Sequence, residues 1–285
     1  MKSDKIKGIT FIILAAAGFS LMSLFVRLSG DLPVFEKGFF RNFVAAVVSF
    51  GIIRKEKTSL SIPKGERLPM LLRCSFGTVG LLANFWAISN IALADANMLN
   101  KMSPVFAMIF SAIYLKEIPS FRDTACLALA LVGAVFVVKP GTGLFHPAAA
   151  IGLFSGMCAG IAYTFVRRMG SRGVKGSLIV FCFSLFSCIA SLILMIPDFV
   201  LPTLSQVVLL LLAGSFACLG QFAITAAYTF APAKEINVFD FTQVLFAALW
   251  AFLLFRELPD VYSIAGYVLI IGTGIYRWHY ALKTS

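Results

Sequence analysis

LFVRLSG, residues 24–30, returns at residues 164–170 as TFVRRMG, and the same offset governs two further stretches. LLRCSFGTVG (Leu71 to Gly80) answers LLAGSFACLG (Leu211 to Gly220), and KEIP (Lys116 to Pro119) answers RELP (Arg256 to Pro259), with no gap. About twenty pairs match between the halves, where so apolar a composition gives roughly a dozen by chance, and the matches cluster. Each copy holds an odd number of hydrophobic segments. A five-span unit followed by its copy places the second copy upside down in a bilayer, the architecture of many secondary transporters.

Composition agrees. Apolar residues make up 60% of the chain and charged residues 13%, far from the balance of a soluble domain. Ten runs are long enough to cross a hydrocarbon core near 30 Å thick: Gly8–Val26, Val34–Ile53, Leu68–Ser89, Leu93–Leu115, Phe121–Val138, Ala148–Arg167, Gly176–Ile196, Gln206–Thr229, Glu235–Phe255 and Val261–Tyr280. Such spans must be helices, because lipid offers their backbone groups no partners. The expected fold is an all-α membrane protein of ten transmembrane helices in two inverted five-helix repeats, residues 1–139 and 140–285. The start, MKSDKIK before GITFIILAAAG, has the look of a signal peptide. Phe25, Val26 and Arg27 nevertheless have mates at Phe165, Val166 and Arg167, so the segment is read as the first helix.

The net charge of +11 reflects orientation. Seventeen lysines and arginines flank the face that carries both termini and three (Arg27, Lys139, Arg256) flank the other. That bias predicts cytoplasmic termini in the cell membrane and argues against a nucleic-acid partner. All six cysteines fall inside spans without metal-ligand spacing and read as small apolar residues.

Polar groups inside spans are expensive and direct attention to function. In helix 4, Asn97, Asn100, Lys101 and Pro104 share one face. Lys101 lies too deep to reach the near surface easily, and Pro104 is expected to kink the helix. In helix 9, Asn237, Asp240 and Gln243 lie opposite; Asn237 is the mate of Asn97, and Asp240 of Asn100. Lys101 and Asp240 are expected to flank one central cavity, as a direct pair or as holders of substrate charge. Helix 8 adds Gln221, Thr225 and Tyr228, and helix 3 adds Asn84 and Trp86. Each is a candidate substrate contact, with inter-helix hydrogen bonding as the alternative. Tyr163, Phe85 and Trp250 are further aromatic candidates for covering an organic substrate. Lys37 and Arg41, one turn apart near the start of helix 2, are read as snorkelling to headgroups. Glu36, Asp240 and Glu235 are the candidate proton carriers, with Glu235 also a candidate cap for helix 9. Gly152, Gly156 and Gly160 put a small-residue stripe on helix 6, read as a close packing face.

FEKGFFRN (Phe35 to Asn42), SPVFAMIFSAIYLKE (Ser103 to Glu117) and the KEIP and RELP corners resemble the EamA branch of the drug/metabolite transporter superfamily. The resemblance covers essentially the whole chain. It implies a central cavity surrounded by helices 1, 3, 4, 6, 8 and 9, with helices 5 and 10 peripheral. It implies transport of amino acids, nucleosides, cofactors or other small organic metabolites, and it carries no ligand signature that names the substrate.

The function expected is a permease or exporter working by alternating access around a midplane site, with a lipid or amphiphile flippase as the alternative. A membrane enzyme is disfavoured, because the only histidines, His146 and His279, lie far apart and no nucleophile–base arrangement recurs at one depth. Expected partners are a small-molecule substrate and membrane lipids, with protons the candidate coupling ion and a homodimer the candidate assembly. No cofactor or metal is expected. The aromatic and amide-rich lining points toward an uncharged or zwitterionic organic molecule.

Overall fold

The computed structural model describes residues 2–90, 99–139, 147–256 and 260–283, and within them the chain is helical without strands. The first half contributes α1 (Lys2–Leu28), α2 (Val34–Lys55), α3 (Arg67–Asn90), α4 (Ser103–Tyr114) and α5 (Phe121–Val138). The second contributes α6 (Ala148–Ser171), α7 (Gly176–Met195), α8 (Leu204–Phe230), α9 (Ala233–Asp240), α10 (Thr242–Phe255) and α11 (Val261–Lys283). Only Phe241 separates α9 from α10, so the two form one span and the total is ten. Six of the described spans, Ala233–Leu254 among them, are by themselves long and apolar enough to cross a membrane. This is a multi-pass membrane protein, and ten crossings bring both ends of the chain to one face, called here the terminal face.

The repeated corners share their backbone as well as their sequence. Lys116 and Arg256, which open KEIP and RELP, both take left-handed φ, 59° and 56°. Each ends its helix by turning the chain sharply. The next helix is then capped in both copies. Ser120 accepts from Asp123 N in a reciprocal capping box at α5, and Asp260 Oδ1 accepts from Ser263 N at 2.9 Å at α11. The capping residue differs, but the geometry it serves is the same.

Packing across the halves follows a two-fold exchange. α1 lies against α8 as α3 lies against α6, and α4 meets α6 as α10 meets α1. α2 packs on α7 and α5 on α11, each with its own mate. An exchange of this kind is what a pseudo-two-fold axis between inverted units produces.

Glycines permit the closest of these contacts. A Cβ on Gly156 would meet the Leu99 carbonyl at 2.7 Å, and one on Gly160 would meet Phe106 Cβ at 2.6 Å and Ala107 N at 2.7 Å. The stripe on α6 therefore presses against the fourth span, backbone to backbone, in keeping with a packing face between opposite repeats.

Candidate functional site

Two mated spans are broken at mated positions. Leu99 and Asn100 are helical, Lys101 and Met102 form a turn, and α4 starts afresh at Ser103 with Pro104 in its first turn. Pro104 does not kink a continuous helix as its sequence suggests. It opens a new one, where its missing N–H is unneeded anyway. Met102 N reaches Leu99 O at 3.1 Å and Val105 N reaches Met102 O at 3.0 Å, so tight three-residue turns bridge the gap. In the ninth span Phe241, the mate of Lys101, occupies the break, and Val244 N bonds Phe241 O at 3.0 Å.

These breaks hold the charged centre. Lys101 Nζ donates to Asp240 Oδ2 at 3.0 Å and to Gln243 Oε1 at 2.6 Å. Lys101 and Asp240 come from opposite halves and pair directly, the first of the two arrangements the sequence left open.

Around the pair lies a cavity of about 290 Å³. Among the sequence candidates, Asn84, Asn100, Lys101, Tyr163, Gln221, Asp240 and Gln243 line it. Asn100 Nδ2 donates to Ser155 Oγ at 3.2 Å, while Asn84 Oδ1 and Gln221 Oε1 are buried without a partner. The cavity runs toward Ser23 and Val138, near the ends of α1 and α5 away from the terminal face.

Other candidates sit elsewhere. Tyr228 stacks on Tyr163 with centroids 5.1 Å apart and donates its hydroxyl to Asn237 Oδ1 at 2.9 Å. Asn237 Nδ2 in turn donates to Pro104 O at 2.5 Å. Tyr228 and Asn237 thus build a floor beneath the cavity on the terminal side instead of its wall. Thr225 is buried on α8 and outside the lining. Trp86 is 44% exposed on the outer side of α3. Trp250 donates Nε1 to Ser20 Oγ at 3.0 Å and so braces a lining residue. Asn97 lies outside the described residues, as does the side chain of Phe85.

Below the floor, ion pairs tie the halves together. Arg167 Nε meets Glu117 Oε1 at 2.9 Å, and Arg167 Nη1 also donates to Thr229 O at 3.0 Å. Glu66 holds Arg168 at 3.4 Å and Arg172 at 2.9 Å, and Lys5 meets Glu235 at 3.3 Å. Asp123 meets Arg277 at 2.7 Å. Glu235 therefore spends its carboxylate on Lys5, not on capping α9, whose N-cap is Pro232 with no side-chain bond. These pairs lie between the floor and the terminal face, and the cavity lining extends the other way, toward Ser23 and Val138.

Two cationic lining residues escaped sequence reasoning. Arg41 is 9% exposed and lines the cavity, contrary to the expectation that it reaches the headgroups. The reason is its face. Arg41 shares the buried side of α2 with Gly38, Asn42, Ala45 and Ser49, a run of small and polar residues that turns inward. Lys37 behaves differently, donating Nζ to Gly30 O at 2.7 Å on the exposed side. Arg73 is 2% exposed, with its guanidinium 3.9 Å from the centroid of the Phe183 ring. Gly77, one turn on, makes room for that guanidinium. The signal for both was an arginine inside a span beside a small residue at helical spacing. α2, α7 and, through Val138, the end of α5 thus join the cavity wall, beyond the six helices that the resemblance implied.

Comparison with known proteins gives the family. The profile of the EamA-like transporter family matches residues 6–139 and again residues 146–276. The pseudopaline exporter CntI of Pseudomonas aeruginosa is 34% identical over 268 residues, 93% of this chain and 93% of its own. Solute carrier family 35 member G1 of Homo sapiens is 26% identical, covering 97% of this chain and 81% of its own. A crystal structure at 16% identity superposes with a TM-score of 0.82 over 95% of each chain, which speaks to the fold alone.

Proposed function

The chain belongs to the EamA-like transporter family, and on that premise we propose that it is a secondary carrier of a small organic metabolite working by alternating access. It is a transporter of the drug/metabolite type and not an enzyme. What goes further is our own reading: repeats dividing near residues 139 and 140 rock about a central site, in the cell membrane, with both termini cytoplasmic. The seventeen-to-three distribution of basic residues supports that orientation.

One observation carries the mechanism. Lys101 and Asp240 meet where a span from each half is interrupted, inside a cavity whose lining reaches Ser23 and Val138 on the side away from the termini. Interrupted helices at a repeat interface expose backbone groups to the solute and let each half move as a body. Asn84, Asn100, Lys101, Tyr163, Gln221, Asp240 and Gln243 supply the substrate contacts. Tyr228, Asn237 and the Arg167–Glu117 bridge supply the gate that must part for the solute to leave on the terminal side.

Asp240 and Glu36 are the proton-coupling candidates. Glu36 is fully buried and joins the halves on the open side, its Oε2 accepting from Val200 N at 3.4 Å. A proton-coupled carrier slows when the pH gradient is collapsed, whereas substrate movement indifferent to the gradient removes proton coupling.

The test is counterflow in proteoliposomes with a panel of labelled amino acids, nucleosides, vitamins and organic acids. At least one solute exchanges, and alanine at Lys101 or Asp240 abolishes its exchange. Transport intact after either substitution overturns the site, and movement of labelled lipid alone replaces the carrier with a flippase.

A further inference from the structure

Among the described residues, the cavity carries more positive charge than its lining balances. Arg41, Arg73 and Lys101 line it, and the only carboxylate among the described lining residues is Asp240, already bonded to Lys101. Among the described residues Arg41 and Arg73 therefore have no acidic partner there. Arg41 has one weak neighbour, Asn42 Oδ1 at 3.4 Å, and the Nε of both arginines is buried with no acceptor. A buried cation without a counter-charge is costly, by several kcal/mol per ion, and is retained inside a membrane where function requires it.

Arg73 is built to wait for a partner. Phe183 lies beneath the guanidinium plane and Gly77 clears the space beside it. A stacked guanidinium keeps its plane fixed while its edge donors stay available, and that edge matches a carboxylate two bonds at a time. Helix ends add to the same field. Ser103 in the first turn of α4, and Gln243 and Val244 in the first turn of α10, all line the cavity. The N-terminal ends of both broken helices therefore contribute partial positive charge at mid-depth.

We infer that the transported solute is a soluble organic anion whose carboxylate is bound by Arg41 and Arg73, with the Lys101–Asp240–Gln243 cluster on the opposite wall contacting the rest of the molecule. This rests on the reading of the cavity as the substrate site, and it replaces the uncharged or zwitterionic solute that the amide-rich lining suggests. Neither arginine has a basic mate in the other half: Phe181 and Ala213 stand at the corresponding positions. The excess charge belongs to this chain's first repeat and is not a product of the duplication.

The field can be read without knowing the solute. Asn84→Cys, and Ser23→Cys at the open end as a second reporter, are treated with methanethiosulfonates of opposite charge: the anionic sulfonatoethyl and the cationic trimethylammonioethyl reagents. Labelling of the native chain, with its six cysteines, is subtracted. The expected result is faster labelling by the anion once intrinsic rates are divided out. The preference falls about tenfold when Arg41→Gln or Arg73→Gln removes one charge. Citrate, succinate or glutamate slows the labelling, and the slowing is lost in the same two variants. A preference for the cationic reagent, or a ratio unmoved by both substitutions, overturns the anionic solute while leaving the cavity intact. Failure of both reagents to reach either cysteine overturns the cavity reading itself. Slowing by phosphatidylglycerol in the micelle but by none of the acids assigns the arginines to a lipid headgroup and overturns the soluble substrate.

Discussion

Lys101→Met and Asp240→Leu, made singly and together, separate the structural from the transport role of the central pair. At 3.0 Å and an effective dielectric constant of about 20, the gross attraction is about 5.5 kcal/mol. Desolvation of both ions cancels most of it, so the pair's net contribution to stability is small. Removal of one partner is a different matter, because the other is then buried alone: Asp240 is only 7% exposed. Each single variant loses about 3 kcal/mol, the low end for broken buried pairs, since a membrane-embedded denatured chain also finds partners. At roughly 2–4 °C per kcal/mol that is about 6–12 °C in Tm, measured by thermal unfolding in detergent. The double variant returns to within about 1 kcal/mol of the native chain, because the uncompensated charge is gone. Transport does not return with it. Additive losses, with the double variant near the sum of the singles, would refute the pairing on which the site is built.

Three further outcomes follow from close contacts and a surface charge. Gly77→Ala gains helix propensity of up to about 1 kcal/mol, yet its Cβ would strike the Arg73 guanidinium and come within 2.7 Å of Phe183 Cε2. Substrate affinity therefore drops more than Tm, which filter binding and thermal unfolding on one preparation will show. Gly156→Ala forces the Leu99 carbonyl aside and costs about 1–2 kcal/mol net. By contrast Gly51→Ala, with nothing within 4 Å, stabilises by up to about 1 kcal/mol, and the two Tm shifts should have opposite signs. Asp260, outside the spans, is held down to about 2 by Lys139 Nζ at 2.5 Å and by its bond from Ser263 N. Its folded value lies below the ordinary 3.8, so its contribution is complete above pH 4 and fades as pH falls toward 2. Asp260→Asn should remove that part of the acid-induced drop in Tm.

The fold was legible because its strongest signals are one-dimensional. Span length, odd repeats and a basic bias are properties of the chain read in order, and lipid leaves the backbone no alternative to helices. The corners were legible as a repeat, KEIP answering RELP, while the left-handed residue and the helix cap that both copies share emerge only from the structure. The site was legible where a polar residue sat too deep for any other use. Lys101 and Asp240 are of that kind. What escaped depended on rotation about the helix axis. Arg41 lies close enough to the helix end that depth alone permits headgroup contact, and only its shared face with Gly38, Asn42, Ala45 and Ser49 turns it inward. Tyr228 and Asn237 have the right polarity but lie on the terminal side of the cavity, a distinction that periodicity within one helix does not express. Trp86 shows the reverse error, an aromatic residue near the right helix turned to the outside.

Of the 24 lysines and arginines, seventeen flank the terminal face and three the other, which leaves Lys37, Arg41, Arg73 and Lys101 within spans. Lys37 remains on the outer rim, bonded to Gly30 O. The other three all line one cavity that has a single carboxylate among its described lining residues. Orientation requires bases outside the hydrocarbon and has no use for any within it. Packing could use one buried cation with a partner, and Lys101 with Asp240 fills that need. Neither requirement explains Arg41 and Arg73, whose removal in favour of apolar residues would relieve a desolvation cost. Their presence is accounted for if the missing anion arrives with the solute. On that argument Arg73→Met stabilises the empty carrier while abolishing anion binding, a pairing of effects that a merely structural arginine, stacked on Phe183 to hold α3 against α7, would not give.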